Sequence, residues 1–391
     1  MSAVTGRLRA FAPRRATEVV TGWWTSGDTR RTPNFVVIMA AIFLLNAIGL
    51  VMVFSASSVL SLDDKGSFWW FFQRQLIWSL IGASAFVVVS RIDYRAWRRR
   101  TVPLMLIAVA LLIIVLIPGI GIWVDGSRRW LGYGFLRFQP SEVAKFAMVI
   151  FCADVLCRRA DEVENYRTAL RPILIVTALV AGLIMIEPDL ASTIVLTGTV
   201  GAALLIGGIR LRQLAIVGAA ATAIVAAFSL FADFRRARMF SYLDPWADQT
   251  GTGYQLTQSL IALGSGGWTG VGLGASRAKW RFLPAAHTDF IFAIIGEETG
   301  LLGAGVVIGL VATLAIFGVR TALRAPDRYG MLIAGAVTAW IVGQAVVNLG
   351  AVVGVLPVTG VPLPFVSFGG TALVVTMAAG GLMANVARQG R

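Results

Sequence analysis

Charged residues are scarce in this chain. Only 14% of its 391 residues are Asp, Glu, Lys or Arg, whereas 57% are hydrophobic and the mean hydropathy is +0.78. Soluble globular domains usually carry about 25% charge. The composition therefore excludes an ordinary soluble enzyme, and the large apolar content excludes intrinsic disorder. It predicts a polytopic membrane protein.

Cysteine and histidine are also rare. The two cysteines, Cys152 and Cys157, fall in one apolar segment, and His287 is the single histidine. These counts exclude a disulfide framework and a zinc site. A Walker A loop and a nucleotide-binding glycine fingerprint after a strand are missing as well. In a membrane protein the net charge of +14 indicates basic cytoplasmic loops, so we expect no nucleic-acid partner.

The apolar segments predict an all-α, polytopic integral membrane protein with about ten transmembrane helices. The first 33 residues form a basic tail without a cleavable signal peptide, and 34–391 form the membrane domain. A break at 187–190 leaves open whether the runs on either side of it are separate spans or halves of one kinked helix. The ten runs are 35–54, 69–90, 102–118, 141–157, 172–186, 190–208, 212–231, 288–319, 330–354 and 366–387.

The distribution of basic residues predicts the orientation. Ten crossings with both termini cytoplasmic place the main arginine clusters on inner loops, whereas nine or eleven crossings put some of them outside. The exception is the 232–288 segment, a long extracytoplasmic loop between the seventh and eighth spans. Its charge is either tolerated because the loop is long, or binds an anion at the outer surface. Its basic residues are Arg235, Arg236, Arg238, Arg277, Lys279 and Arg281.

Ionisable residues at membrane depth are costly and are candidates for function. Arg74 lies in the second span. Glu142 and Lys145, three residues apart, share one helical face near the outer end of the fourth. They form either a simple helix-start pair or part of a site, because a lysine one turn into an apolar helix needs an anion.

The outer boundary carries further carboxylates. Asp189, after Glu187 and Pro188, is predicted to cap a helix. Asp289 precedes the eighth span, either as a cap or as a functional group beside His287. Glu297 and Glu298 follow in the same span and must face a polar interior or be protonated.

Five strings in order identify the chain as resembling the SEDS family, the FtsW/RodA/SpoVE group of shape, elongation, division and sporulation proteins. The resemblance runs from about Phe35 to Arg391. Two departures are visible: Ala285 replaces the glutamate of the usual LPEAHTD, and Phe368 replaces a common tyrosine. The strings are QPSEVAK (139–145), GTGYQLTQS (251–259), GVGLGAS (270–276), LPAAHTDFIFAIIGEETG (283–300) and LPVTGVPLPFVSFGG (356–370).

The resemblance implies a glycosyltransferase that polymerises lipid II into peptidoglycan strands with a class B penicillin-binding transpeptidase. Other membrane proteins of the division machinery are implied partners, and a divalent cation, magnesium or manganese, is implied as cofactor. The basic extension and TGYQLTQSL favour the division branch, at the septum, over the RodA-like elongation branch. Carried over by motif are Asp289 as the catalytic carboxylate or metal ligand, and Lys145, Glu142, Trp130 and Arg238 as substrate-binding residues.

This chemistry agrees with the residues. A GlcNAc 4-hydroxyl attacking MurNAc on undecaprenyl pyrophosphate needs a general base, a role that suits a carboxylate at the membrane surface such as Asp289. The leaving diphosphate needs cations, a role expected of Lys145, Arg238 and a metal ion. Arg74 and His287 are additional candidates for substrate contact. Two rival functions stay open, a lipid II transporter or flippase and a non-enzymatic scaffold for the transpeptidase.

Overall fold

The computed structural model describes residues 32–124, 126–134, 136–162, 165–230 and 242–390. These residues form an all-α, polytopic membrane protein with one small sheet, as the composition predicts. Its helices are α1 (Pro33–Lys65), α2 (Trp70–Arg91), α3 (Thr101–Leu116), α4 (Pro140–Arg158), α5 (Arg171–Ile186), α6 (Leu190–Ile206), α7 (Leu211–Leu230), α8 (Tyr254–Gly266), α9 (Ile291–Leu323), α10 (Arg328–Val352) and α11 (Gly370–Gln389).

Each of the ten predicted spans coincides with a helix. Seven helical stretches in the described residues are long and apolar enough to cross a bilayer on length and composition alone. The other three runs are α4, with charged residues in its sequence, and α6 and α7, for which shorter apolar stretches are recognised. A helix satisfies its own backbone hydrogen bonds, and long apolar segments therefore fold this way in lipid.

Side-chain caps mark several helix starts. The Thr32 hydroxyl accepts from Phe35 N at 3.3 Å, directly before Pro33 in the first turn of α1. Asp189 accepts from Ser192 N at 3.1 Å and caps α6, which confirms the sequence prediction. Asp327 caps α10 through Gly330 N at 2.8 Å. These contacts satisfy amides that a helix leaves unpaired at its beginning.

One end of the bundle gathers the connections that were predicted to be cytoplasmic. Asp327, before α10, accepts from Arg95 at 2.7 Å and from the Tyr94 hydroxyl at 2.8 Å, both in the α2–α3 connection. Asp154, near the end of α4, accepts from Arg98 and Arg158. Alternate connections therefore meet at one end of the bundle, as ten crossings require. We call it the inner end, and the opposite one the outer end, after the orientation predicted from the basic residues.

The 187–190 break is a turn between two crossings and not a kink. Its outer side is fixed by Arg129, which donates to the carbonyls of Glu187 at 3.0 Å and Pro188 at 2.6 Å. The far end of α6 lies at the inner side, where Arg328 donates to the Gly207 carbonyl at 2.8 Å. α6 therefore runs from the outer to the inner end by itself.

Helices α10 and α11 occupy the centre. The bundle buries 67% of the most apolar part of α10 and 72% of that of α11, against at most 44% for the other long helices of the described residues. Lipid tails are as apolar as leucine, so this packing depends on close backbone approach. A Cβ at Gly381 of α11 would lie 2.6 Å from the Phe86 carbonyl of α2.

Three features were not predicted. α1 extends to Lys65, beyond the expected end near 54. A three-stranded antiparallel sheet, β1 (Ile122–Val124), β2 (Ser127–Tyr133) and β3 (Leu136–Phe138), fills the α3–α4 connection. The eighth span, α9, is interrupted at Gly300, which has φ 65° and ψ −165°. The described part of the long outer loop is folded, as expected, and contains α8.

The two-ended arrangement predicts where reporters will be accessible. A reporter inserted at 321–329 or after Arg212 should read as cytoplasmic, and one at 245–255 as external. Alkaline phosphatase and fluorescent-protein fusions measure both sides. An external reading at 321–329 would contradict the ten-span arrangement and place Asp289 on the cytoplasmic face.

Candidate active site at the outer end of the bundle

Asp289 lies in the outer loop immediately before α9. Its side chain is half-buried, and Phe290, not Asp289, occupies the position that caps the helix. A Cβ added at Gly360 would come within 3.5 Å of Asp289 Oδ2, so the carboxylate faces the connection between α10 and α11 (the α10–α11 connection, 353–369).

An amide of α10 holds this segment. Asn348 Nδ2 donates to the Asp289 carbonyl at 2.7 Å and to the Val361 carbonyl at 2.7 Å. It thus joins the Asp289 loop and the α10–α11 connection through two bonds from one buried side chain. Non-helical carbonyls at membrane depth need such internal donors, because no bulk water replaces them.

Lys145 and Glu142 form a buried ion pair in the first turns of α4. Lys145 Nζ lies 2.8 Å from Glu142 Oε1, and the two residues are 2% and 3% exposed. The ammonium also lies 3.5 Å from Gln344 Oε1 and 5.4 Å from the centre of the Trp340 ring. Glu142 Oε2 is buried without a hydrogen-bond partner. A charge pair at this depth is expensive, which argues against a simple helix-start pair.

Gln344 and Asn348 connect this pair to the Asp289 loop. They are four residues apart on α10 and therefore share one helical face. Gln344 Nε2 donates to the Pro362 carbonyl at 3.0 Å, next to the carbonyl that Asn348 binds. Neither amide was predicted to be functional, although two amides four residues apart in an apolar span are a detectable signal in the sequence.

His287 packs in an aromatic cluster beside Asp289. Its ring centre is 4.7 Å from that of Phe71 and 5.5 Å from that of Phe368, and its carbonyl accepts from Phe368 N at 3.0 Å. Loss of hydration lowers the pKa of His287 to about 4. The imidazole is therefore neutral near pH 7, where it is able to donate one hydrogen bond and accept another.

Trp130 lies on β2 and is half-buried. Its neighbour Arg129 binds the α5–α6 turn, as described above. Gln139, just before α4, donates to Asp189 Oδ2 of the same turn at 2.8 Å. One turn therefore anchors both the strand that carries Trp130 and the helix that carries Lys145.

Arg74 sits in the second turn of α2, with its guanidinium 4.4 Å from the centre of the Trp70 ring. Its Nε is buried without a hydrogen-bond partner. Gln75 beside it donates to the Ser367 carbonyl at 3.3 Å, which joins α2 to the α10–α11 connection. Arg74 therefore lies at the same end of the bundle as Asp289.

The remaining candidate residues are Arg238 and the two adjacent glutamates of α9, Glu297 and Glu298. Arg238 lies outside the described residues. Glu297 and Glu298 face polar groups in the interior of the protein, as one of the two alternatives required. No group of three or more metal-binding side chains occurs within the part of the chain that the structure describes. Asp289 fits a cation that is held by a carboxylate together with substrate oxygens, a mode typical of Mg²⁺ bound with substrate phosphates.

These positions define the chemistry available at the outer end. A half-buried carboxylate, a neutral imidazole, a buried ammonium and a guanidinium are linked through α2, α4, α10 and the α10–α11 connection. A carboxylate is suited to accept a proton and the cations to stabilise a leaving anion.

Comparison with known proteins places this arrangement in context. The family model described as "Cell cycle protein" (FTSW_RODA_SPOVE) matches residues 35–391. Stage V sporulation protein E of Bacillus subtilis is 39% identical over 93% of this chain and 99% of its own length. A Geobacter metallireducens protein named "Probable peptidoglycan glycosyltransferase FtsW" is 39% identical over 90% of this chain and 94% of its own.

Solved structures have the same fold. A chain of a peptidoglycan synthase complex, studied for the coordination of polymerization and crosslinking, superimposes with a TM-score of 0.74 and 27% identity. It matches 90% of this chain and 96% of that one. Rod shape determining protein RodA of Thermus thermophilus gives a TM-score of 0.66 at 26% identity, over 90% and 95% of the two chains.

The buried ion pair predicts an effect on stability. Lys145→Met leaves the Glu142 carboxylate buried without its cation and should destabilise the protein by about 3–5 kcal/mol. The double variant Lys145→Met/Glu142→Gln removes both charges and should recover most of this loss. Thermal unfolding of the detergent-purified proteins measures the difference. Equal melting temperatures for the single and double variants would contradict the pairing.

Proposed function

Because the chain belongs to the FtsW/RodA/SpoVE family of cell cycle proteins, we propose that it is a peptidoglycan glycosyltransferase that polymerises lipid II. The reaction takes place at the outer face of the cytoplasmic membrane. The observation that carries the proposal is the position of Asp289 relative to Lys145. One face of α10 contacts both residues: Asn348 binds the Asp289 carbonyl, and Gln344 accepts from Lys145 Nζ. Asp289 then acts as the base for the attacking hydroxyl, and Lys145 stabilises the leaving diphosphate.

The displacement forms one bond and breaks one. The 4-hydroxyl oxygen of a GlcNAc attacks the anomeric carbon of a MurNAc, and the bond from that carbon to undecaprenyl pyrophosphate breaks with inversion. Asp289 accepts the hydroxyl proton. A single inverting step needs one base and no covalent intermediate, so the second carboxylate of a retaining enzyme is not required.

Two basic side chains are proposed to stabilise the negative charge of the leaving diphosphate. Lys145 approaches it from the bundle, and Arg238 from the outer loop. A phosphate oxygen near Lys145 adds a second anion to an ammonium that is already paired with Glu142. We assign three further residues to substrate contact: Arg74, Trp130 and His287.

A divalent cation, magnesium or manganese, is proposed to be held by Asp289 together with substrate oxygens. When bound, it supplies positive charge that stabilises the departing diphosphate. Chelation by EDTA should abolish polymer formation, and either metal should restore it. Full activity in excess EDTA would contradict a cation requirement.

The protein is embedded in the membrane. Its proposed role is in cell division, at the septum. The FtsW names among its relatives support septal synthesis. The proposed partners are a class B penicillin-binding transpeptidase, which the similar peptidoglycan synthase complex supports, and other division proteins. Both termini are proposed to be cytoplasmic from the distribution of basic residues. A RodA-like elongation role is the alternative, because the similar solved structures include RodA. Depletion followed by microscopy separates the two: filaments indicate division, and round cells indicate elongation.

Asp289→Asn tests the mechanism. Asparagine keeps size and polarity but lacks a basic carboxylate, so glycan polymerisation should fall by about 10²–10⁴-fold. Purified protein, labelled lipid II and gel separation of the glycan products measure the rate. Asp289→Glu keeps the charge but moves it by one methylene and should retain partial activity at best.

The control for this experiment is binding. Lipid II and transpeptidase binding should be little changed in Asp289→Asn. Robust polymerisation by this variant would remove Asp289 from the catalytic role. Failure of the unaltered protein to make polymer, alone or with its transpeptidase, would favour the transporter or scaffold functions.

A further inference from the structure

A buried polar cluster lies next to the Asp289 segment and has no part in the mechanism above. Its centre is the pair Glu297 and Glu298 of α9, which are 3% and 1% exposed. Residues of two other elements complete it: Ser55 of α1, and Ser276 and Lys279 of the outer loop. We call these five residues the loop clamp.

Glu297 binds the outer loop through three donors. Its Oε2 accepts from the Ser276 hydroxyl at 2.5 Å and from Ala278 N at 3.3 Å, and its Oε1 accepts from Arg277 N at 2.9 Å. All three partners are hydrogen-bond donors, and such an arrangement stabilises a negatively charged carboxylate. An amide at this position would place its own NH₂ group against a donor.

Glu298 binds two elements at once. Both of its oxygens lie within 2.8 Å of the Ser55 hydroxyl on α1. Its Oε1 is also 3.4 Å from Ser276 N and 3.9 Å from Lys279 Nζ. Lys279 in turn donates to the Gly274 carbonyl at 2.5 Å. The carboxylate therefore holds the outer loop against α1.

Backbone bonds reinforce the side chains where α9 is interrupted. Val271 N donates to the Glu297 carbonyl at 3.0 Å, and Gly272 N to the Glu298 carbonyl at 3.1 Å. Gly270 has φ 79°, and a Cβ there would lie 2.1 Å from the Glu298 carbonyl oxygen. Only glycine allows the loop to approach so closely. The break at Gly300 is thus occupied by the loop.

The clamp closes the 276–297 segment, which contains Asp289, into a loop joined at its two ends. Ser276 and Glu297, 21 residues apart, are bonded through their side chains, and Asp289 lies between them. Within this segment Thr288 N and Phe290 N both donate to the Ala285 carbonyl, and Asn348 holds the Asp289 carbonyl. The segment is therefore held at both ends and at its middle.

We propose that Glu297 and Glu298 are positioning residues for Asp289. As buried anions they keep the 276–297 segment in one register, and this fixes the Asp289 carboxylate relative to the substrate. The inference rests on the proposed function, because it concerns the group assigned as the base. Positioning matters because a displacement of about 1 Å can cost about 100-fold in rate.

Glu297→Gln tests the proposal through kinetics and exchange together. The kcat for lipid II should fall by about tenfold or more, since orientation is lost, while KM changes by less than about twofold. Hydrogen–deuterium exchange of residues 283–290 should become faster by about tenfold or more as the segment opens locally. A merely structural role would lower the melting temperature but leave the kcat of the folded fraction unchanged.

Asp154→Asn is the matched control. Asp154 is also a buried carboxylate, and it accepts from Arg98 and Arg158 at the inner end of the bundle. Its replacement should leave both kcat and the exchange of 283–290 unchanged. The same loss in Asp154→Asn would indicate general loosening and overturn the assignment.

Two further variants keep the proposal testable if Glu297→Gln fails to fold. Ser276→Ala removes one hydroxyl from Glu297, and Ser55→Ala removes one from Glu298; each should give a smaller change in the same direction. Unchanged kcat and exchange in both would overturn the clamp. If the unaltered protein makes no polymer, the proposed function fails, whereas the exchange experiment still decides whether the clamp holds the segment.

Discussion

Two amides on one face of α10 hold the outer half of this protein together. Gln344 and Asn348 donate to carbonyls of the α10–α11 connection, and Asn348 also binds the Asp289 carbonyl. These carbonyls belong to irregular backbone packed into a membrane bundle, where each unpaired group would cost several kcal/mol. The amides thus give the connection and the Asp289 loop a shared support, in addition to the bond from Phe368 N to the His287 carbonyl.

The same face explains how a lysine is kept inside the bundle. Lys145 has one carboxylate, one amide oxygen and the face of Trp340 around it, so its charge is solvated by fixed groups. Removing two charges from water is costly, and hydrophobic replacement of such a pair is often neutral or stabilising. Stability alone therefore does not account for the pair. The proposed contact of Lys145 with the substrate diphosphate would give the pair a role beyond stability.

The two ends of the bundle are built differently. At the inner end, Asp154 and Asp327 join helices through arginines that are partly exposed. At the outer end, buried carboxylates and amides bind backbone groups of loops, as Glu297 does with Arg277 N and Asn348 with Val361. Ion pairs with exposed partners tolerate water, whereas amide and carboxylate contacts to backbone hold a segment in one conformation. The outer end is thus the one built to position groups.

Sequence by itself determined the spans and their order, and the basic residues predict the side on which each connection lies. An apolar segment satisfies its own hydrogen bonds as a helix, so length and composition suffice, and Asp189 as a cap depends only on its neighbours. The motif strings also singled out Asp289, Lys145 and Glu142. What only the tertiary structure decided are the contacts between distant residues.

Those contacts explain each feature that was missed. The sheet at 122–138 depends on strand register and on Arg129 reaching the α5–α6 turn. The break at Gly300 exists because the glycine-rich loop occupies it, although the surrounding sequence is apolar and helical. Gln344 lies 199 residues from Lys145, and Asn348 lies 59 from Asp289. Packing chooses such partners, because a local sequence pattern contains no information about which residue of another helix will face it.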